Sequence, residues 1–205
     1  MADSFARCSD EELLLRLRNG ERDVFGTLVR RYERELFGYL KRYLGRDDLA
    51  EDVFQNTFVA VFRKIRQYEP GRAARPWLYT IATHQAIDAI RQRSRRPDYT
   101  PQDPGPAALG DEAYDPLDRT EGSDPDPAER AAEGETAENV RIAVLQLPEL
   151  FQQVVILAYF QGLRYQDVAE ILDIPVGTVK SRLNAALTKL REIWDGRFPM
   201  KESPE

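Results

Sequence analysis

From Pro97 to about Gly134 the chain is built mainly from Pro, Gly, Ala, Asp and Glu and carries few large apolar residues. Such a stretch cannot bury enough surface to offset the entropy of ordering its own backbone, so a disordered acidic linker is expected over 97–135. That stretch divides the 205 residues into two flanking parts, each long enough only for a small domain. The predicted domains are 10–96 and 136–197.

Charge divides in the same way. The formal net charge of -6 is unfavourable for a protein that must sit on phosphates. Between Asp98 and Glu138, however, thirteen acids face only Arg119 and Arg130. That segment alone carries about -11, which leaves the rest of the chain net basic, near roughly +5.

Cys8 is the single cysteine and His84 the single histidine, so one chain can build neither a disulfide framework nor a Cys/His zinc site. No metal or other cofactor is expected. No apolar run approaches the roughly 18 residues of a membrane span, and Met1 to Asp10 lacks the basic-then-apolar layout of a signal peptide. A protein of the reducing cytoplasm, with no membrane insertion, is the expectation.

Both flanking parts show the helical period. Leu13, Leu14 and Leu17, then Phe25, Leu28, Val29, Tyr32, Leu36, Leu40 and Leu44, predict two helices. A third is predicted over about Asp48 to Tyr68, with Leu49, Val53, Phe54, Thr57, Phe58, Val61, Phe62 and Ile65 inward and Glu69-Pro70-Gly71 as its stop. A short basic loop follows. The fourth is predicted to start near Pro76, to carry Leu78, Ile81, Ala82, Ala86 and Ala89 on its core side, and to end in Arg93 to Arg96. Beyond the linker the pattern resumes at Val140, Val144 and Leu147 and continues through Val154 to Ala158, Val168 to Leu172 and Val176 to Trp194. The fold class is all-α, two small helical domains joined by the linker.

The last two segments have a helix-turn-helix layout, with Tyr165 to Leu172 as a short helix, Asp173-Ile174-Pro175 as a turn and Val176 opening the longer helix. At 100° per residue Val179, Leu183, Ala186, Leu187, Leu190 and Trp194 form the core side. Thr178, Ser181, Ala185 and Thr188 point away, flanked by Arg182 and Lys189 on one side and Lys180 and Arg191 on the other. Val176 to Arg191 holds no acid. Small polar groups framed by cations suit a major groove, whereas a solvated basic helix face is the plainer alternative.

These residues carry a resemblance. Leu147-Pro148, Tyr165-Gln166-Asp167-Val168-Ala169-Glu170 and Pro175-Val176-Gly177-Thr178-Val179-Lys180-Ser181-Arg182-Leu183 look like the fourth region of the extracytoplasmic-function sigma factors of bacterial RNA polymerase. Asp48-Leu49-Ala50-Glu51-Asp52-Val53-Phe54-Gln55-Asn56-Thr57-Phe58 and Trp77-Leu78-Tyr79-Thr80-Ile81-Ala82, followed by Asp88 and Arg91, look like the second region. The resemblance implies that the first domain grips a coiled coil of the polymerase β′ subunit and opens the −10 element. It implies that the second domain reads the −35 element as duplex, and that the core polymerase partner includes the β subunit as well as the β′ coiled coil. It also implies an anti-sigma factor that covers the polymerase-binding faces.

The residues agree with that division. Asp48, Glu51, Asp52 and Gln55 share one face outside the apolar stripe, fit for a basic partner, although a solvated acidic first turn is the plainer reading. Trp77, Thr80, His84, Asp88, Arg91 and Arg95 fall in one sector beside the loop that holds Arg72 and Arg75. Rings can stack extruded bases and guanidinium groups can follow phosphates, which is what promoter melting needs. Trp77 as simple core is the alternative. For the −35 element the candidates are Thr178, Lys180, Ser181, Arg182, Asn184, Thr188 and Lys189. The chain departs from the family pattern at Ala74, where a Phe is common, at His84, where an Asn is, and at Ala185, where an Arg is; these touch base preference and the hold on the −35 element.

Two other functions compete. A helix-turn-helix regulator that binds DNA alone would explain Tyr165 to Trp194 but leaves the first domain without a task. An enzyme would need a phosphate loop, a nucleophile elbow or a metal-spaced cluster, and the sequence has none of these. No catalytic residue is predicted, and His84 with Asp88 is too small a set for a metal.

Overall fold

The computed structural model describes residues 5–94 and 139–197, which form helices and turns without a strand. The linker expected over 97–135 lies outside the described residues, as does Arg95. The chain splits into two compact units.

In the first unit, α1 (Asp10–Arg18) opens on a reciprocal cap: the Ser9 hydroxyl accepts from the Glu12 amide, and the Glu12 carboxylate accepts from the Ser9 amide. Leu13, Leu14 and Leu17 are its buried side. A 3-10 turn, Arg22–Val24, leads into α2 (Phe25–Leu44), which ends at Gly45 in the left-handed region that glycine accepts without strain. Next come α3 (Asp47–Lys64), the 3-10 turn Ile65–Gln67, a loop, and α4 (Ala74–Ser94). Helices α2, α3 and α4 pack on one another, and α1 packs on α2, on α4 and on the turn Ile65–Gln67. Leu28, Leu36, Leu40, Ala50, Val53, Val61, Leu78 and Ala82 fill the centre.

Polar links cross this core at steps of one helical turn. The Tyr39 and Thr83 hydroxyls are 2.7 Å apart and buried. Glu35 accepts from the Arg75 guanidinium at 2.6 Å and from the Tyr79 hydroxyl at 2.8 Å. Asp10 accepts from Arg31 and from the Tyr32 hydroxyl, both at 2.7 Å. Burial is the first cause that raises the Tyr32, Tyr39 and Tyr79 phenols above their ordinary range; the carboxylates Asp10 and Glu35 add to it at Tyr32, and Glu35 adds to it at Tyr79.

The second unit holds α5 (described over 139–145), α6 (Glu149–Val155), the start of α7 (Tyr165–Leu172) and α8 (Val176–Arg197). Pro148 starts α6 by accepting the Phe151 and Gln152 amides, and α6 loosens into a π-helical turn over Ile156–Phe160. Val144, Leu147, Val154, Leu157, Val168, Val179 and Leu183 are buried. Asp173 ends α7 with φ 52°, a conformation aspartate tolerates better than most side chains. The Pro175 carbonyl then takes the Thr178 and Val179 amides and starts α8.

Two inward assignments are corrected. Phe62, expected in the core, is 41% exposed, and Leu187 is 46% exposed. Periodicity places a residue on a face, whereas burial requires a neighbour that reaches it. On α8 the fully packed positions stop at Ala186, and Leu190 and Trp194 are only partly covered. Three boundaries also move: α3 ends at Lys64, with a 3-10 turn before the expected stop, α4 begins at Ala74 rather than near Pro76, and α8 runs to Arg197 rather than Trp194.

Candidate nucleic-acid interface

Helix α3 has an exposed acidic side. Asp48, Glu51, Asp52 and Gln55 all face solvent, in keeping with their separation from the apolar stripe. Asp48 already has a partner, because Arg46 grips both its oxygens at 3.0 and 2.6 Å. That hydrogen bond is the first cause holding the Asp48 carboxyl below its usual range, with Arg93 at the far end of α4 adding a weaker pull. Arg46 was missed in the sequence, although a cation two residues before an acid is a visible signal.

One and two turns on from Gln55 along the same helix the surface turns apolar. Val59 is 47% exposed and Phe62 borders an open groove with Phe25, Val29, Phe54 and Phe58. Phe25 meets Phe58 and Phe62 edge-on, at 6.1 and 5.5 Å between centroids. The groove escaped sequence reading because its rings were assigned inward; the signal was Val59, four residues past Gln55 and outside the apolar stripe.

On α4 the predicted sector divides. His84, Asp88 and Arg91 are exposed and Thr80 is half-buried, its hydroxyl donating to the Pro76 carbonyl. Trp77, by contrast, is 5% exposed and packs edge-on against Tyr68 at 5.1 Å. Arg75 is turned toward Glu35, in an ion pair of 2.6 Å, rather than outward with Arg91. The structure therefore brings Thr80, His84 and Arg91 to one open side and places Trp77 and Arg75 beneath it. Arg72 lies in the loop, partly covered, and its carbonyl accepts from the Tyr68 hydroxyl.

On α8 the outward strip is as expected at Ser181, Ala185 and Thr188, whereas Thr178, expected to point away, is half-buried. Lys180, Ser181, Asn184, Ala185, Thr188 and Lys189 are exposed, and Thr178 and Arg182 are at its margin. The Ser181 hydroxyl donates to the Thr178 carbonyl at 3.0 Å and that of Thr188 to the Asn184 carbonyl at 3.2 Å, which leaves both oxygens outward as acceptors. Lys189 pairs with Glu192 at 3.0 Å. Small polar side chains with cations on an acid-poor first half can approach a phosphate-lined groove closely.

Among the described residues no helix is long and apolar enough to cross a membrane, and no group of three or more His, Cys, Asp or Glu is placed to hold a metal ion.

The chain matches known proteins over both units. Residues 28–96 match sigma-70 region 2 and residues 137–190 match sigma-70 region 4. The ECF RNA polymerase sigma-E factor of Haemophilus influenzae is 34% identical over 176 residues, covering 85% of this chain and 89% of that protein. The ECF RNA polymerase sigma factor SigW of Bacillus subtilis is 30% identical, covering 86% and 91%. Of solved structures, CnrH in complex with the cytosolic domain of CnrY has a TM-score of 0.62 at 22% identity, covering 91% of this chain and 97% of that one. The sigma factor RpoE of Bartonella quintana, in complex with the anti-sigma factor NepR, has a TM-score of 0.61 at 22% identity, covering 85% and 98%; both show the same all-helical fold. The chain thus belongs to the extracytoplasmic-function sigma factors, the non-catalytic factors that give bacterial RNA polymerase its promoter specificity at transcription initiation.

Proposed function

We propose a division of labour between the two units. Residues 10–96 bind core RNA polymerase and open the −10 element, 136–197 read the −35 element as duplex and meet the β subunit, and 97–135 span the distance between them. The exposed side of α3, Asp48, Glu51, Asp52 and Gln55 running into the groove at Val59 and Phe62, carries this reading. Acid beside apolar surface suits a β′ coiled coil that offers cations and a hydrophobic seam, and disfavours DNA. The open side of α4 with Thr80, His84 and Arg91, near the loop of Arg72, meets the −10 strand. The strip Thr178, Lys180, Ser181, Arg182, Asn184, Thr188 and Lys189 meets the −35 duplex. Trp77 and Arg75 support the −10 surface from below.

The protein works in the cytoplasm without catalysing a reaction of its own. An anti-sigma factor occupies the α3 face when transcription is off, a reading motivated by the Bartonella quintana RpoE structure, which was solved in complex with the anti-sigma factor NepR.

Run-off transcription with purified core polymerase tests the whole. Promoter-specific transcripts should form only when the chain is added. Duplex binding without any transcript would instead favour the independent helix-turn-helix regulator.

A further inference from the structure

The −10 surface has a support from the start of the chain, at a residue to which no role has been given. Helix α1 touches both the turn before the loop, Ile65–Gln67, and the helix after it. From α1, the Glu11 carboxylate accepts the backbone amide of Ala74, the first residue of α4, at 2.9 Å. The same carboxylate faces Tyr68 at the other end of the loop, where it ranks after burial among the causes that raise that phenol above its usual range. Tyr68 in turn donates to the Arg72 carbonyl and packs edge-on against Trp77. Between these two anchors the chain reverses at Gly71 with φ 85°.

Glu11 is itself held from both sides. Ser9 and Glu12 fix the first turn of α1, and Asp10 is bound by Arg31 and Tyr32 of α2. A helix start whose amide donates to a carboxylate has one of its four unsatisfied donors filled and a charge matched to the helix dipole. Here the cap comes from 63 residues away, so it fixes where the loop ends as well as where the helix begins.

We propose that Glu11 is a positioning residue for −10 recognition, holding the loop at 69–73 and the first turn of α4 in the register that presents Arg72, Thr80 and His84 to the opened strand. The proposal rests on the reading that this surface meets the −10 element. A cap that served stability alone would weaken opening on every promoter alike; a positioning role changes the ratio between promoters.

Full-length wild type, Glu11→Ala, Glu11→Asp and Glu11→Gln are compared with core polymerase on a cognate promoter and on promoters altered at −10 only. Open complexes are counted by permanganate reactivity, and hydrogen exchange is read at the Ala74 amide. Glu11→Ala should lower the cognate preference about fivefold and speed exchange at Ala74, with core affinity and −35 preference unchanged. Glu11→Gln keeps an acceptor of the same reach and should restore most of the preference. Glu11→Asp keeps the charge but falls a methylene short, and should behave like the alanine variant; the Gln and Asp pair decides the matter if Glu11→Ala does not fold. Unchanged preference in Glu11→Ala, or in Glu11→Asp where alanine is not tolerated, overturns the proposal, as does a glutamine variant no better than the defective ones. Wild type that opens no promoter overturns the functional reading itself, which distinguishes the two failures.

Discussion

Helices α4 and α8 are near equals in length, and each carries exposed cations, yet they are held by different physics. Helix α4 is tied to α2 by side-chain hydrogen bonds at positions 75, 79 and 83, one turn apart, reaching Glu35 and Tyr39. Helix α8 packs on α6 through Val179, Leu183 and Ala186, and its Ser181 and Thr188 hydroxyls bond to its own backbone. Hydrogen bonds are directional, so rotating α4 about its axis breaks several at once, whereas apolar contact falls off gradually with small slides. The helix proposed to receive splayed bases is thus fixed in rotation. The helix proposed to enter a regular groove needs only a stable rod with a clean outer strip.

The largest expected effect tests whether α8 rests on apolar packing alone. Leu183→Ala should cost the second unit about 3 kcal/mol, by lost burial and the cavity left behind. Hydrogen exchange along a urea series, read separately for the two units, should show the first unit unmoved. An equal fall in both would mean that they unfold together and that the contrast is not between independent parts.

Alkaline pH should act the other way, on the first unit. The buried phenols of Tyr32, Tyr39 and Tyr79 have folded values above their unfolded ones, so each contributes stability that is complete below about pH 10. As pH rises further the unfolded chain ionises while the folded one does not, and stability is lost by up to about 1.4 kcal/mol per phenol for each pH unit. In the second unit the raised phenol, Tyr159, is half exposed and contributes little of this kind. The first unit should therefore lose about 2.5 kcal/mol by about pH 10.5, summed over the three phenols, checked by urea midpoints between about pH 9 and about pH 10.5; parallel losses in both units would break the comparison.

The same contrast explains what could be read from the sequence. Apolar period alone placed α2, α3, α4 and α8, because each packs a continuous stripe. It could not place the start of α4, which Glu11 caps from far along the chain, nor tell that Trp77 is buried under the sector it shares with Arg91 and that Arg75 turns to Glu35, since that depends on Tyr68 and Glu35 arriving from other elements. Phe62 and Leu187 were assigned inward for the same reason: spacing names a face and is silent on whether a neighbour covers it. The π-helical turn at Ile156–Phe160 left no sign in the sequence. The exposure of Lys180, Ser181, Asn184, Ala185, Thr188 and Lys189 on α8 was legible because it involves a single helix and its own periodicity.

Arg75 and Arg182 give the finest test, since the sequence assigned both to DNA and the structure treats them differently. Arg182 stands at the margin of the outward strip of α8, where a guanidinium can reach a phosphate. Arg75 is half-buried against Glu35, an arrangement that raises its own pKa despite the opposing cost of burial. Each is replaced by alanine in the full chain, with stability measured by urea unfolding and holoenzyme binding to promoter DNA measured across a salt series. Arg182→Ala should leave stability within about 0.5 kcal/mol, weaken binding to all sequences alike, and reduce the salt slope by about 0.9, the release of one phosphate's counterion. Arg75→Ala should cost about 1 kcal/mol of first-unit stability, discounted for its partial exposure, while the salt slope stays as in wild type. A slope change in Arg75→Ala as large as in Arg182→Ala would mean that the Glu35 pair opens on DNA, and that α4 is less fixed in rotation than its hydrogen bonds to α2 require.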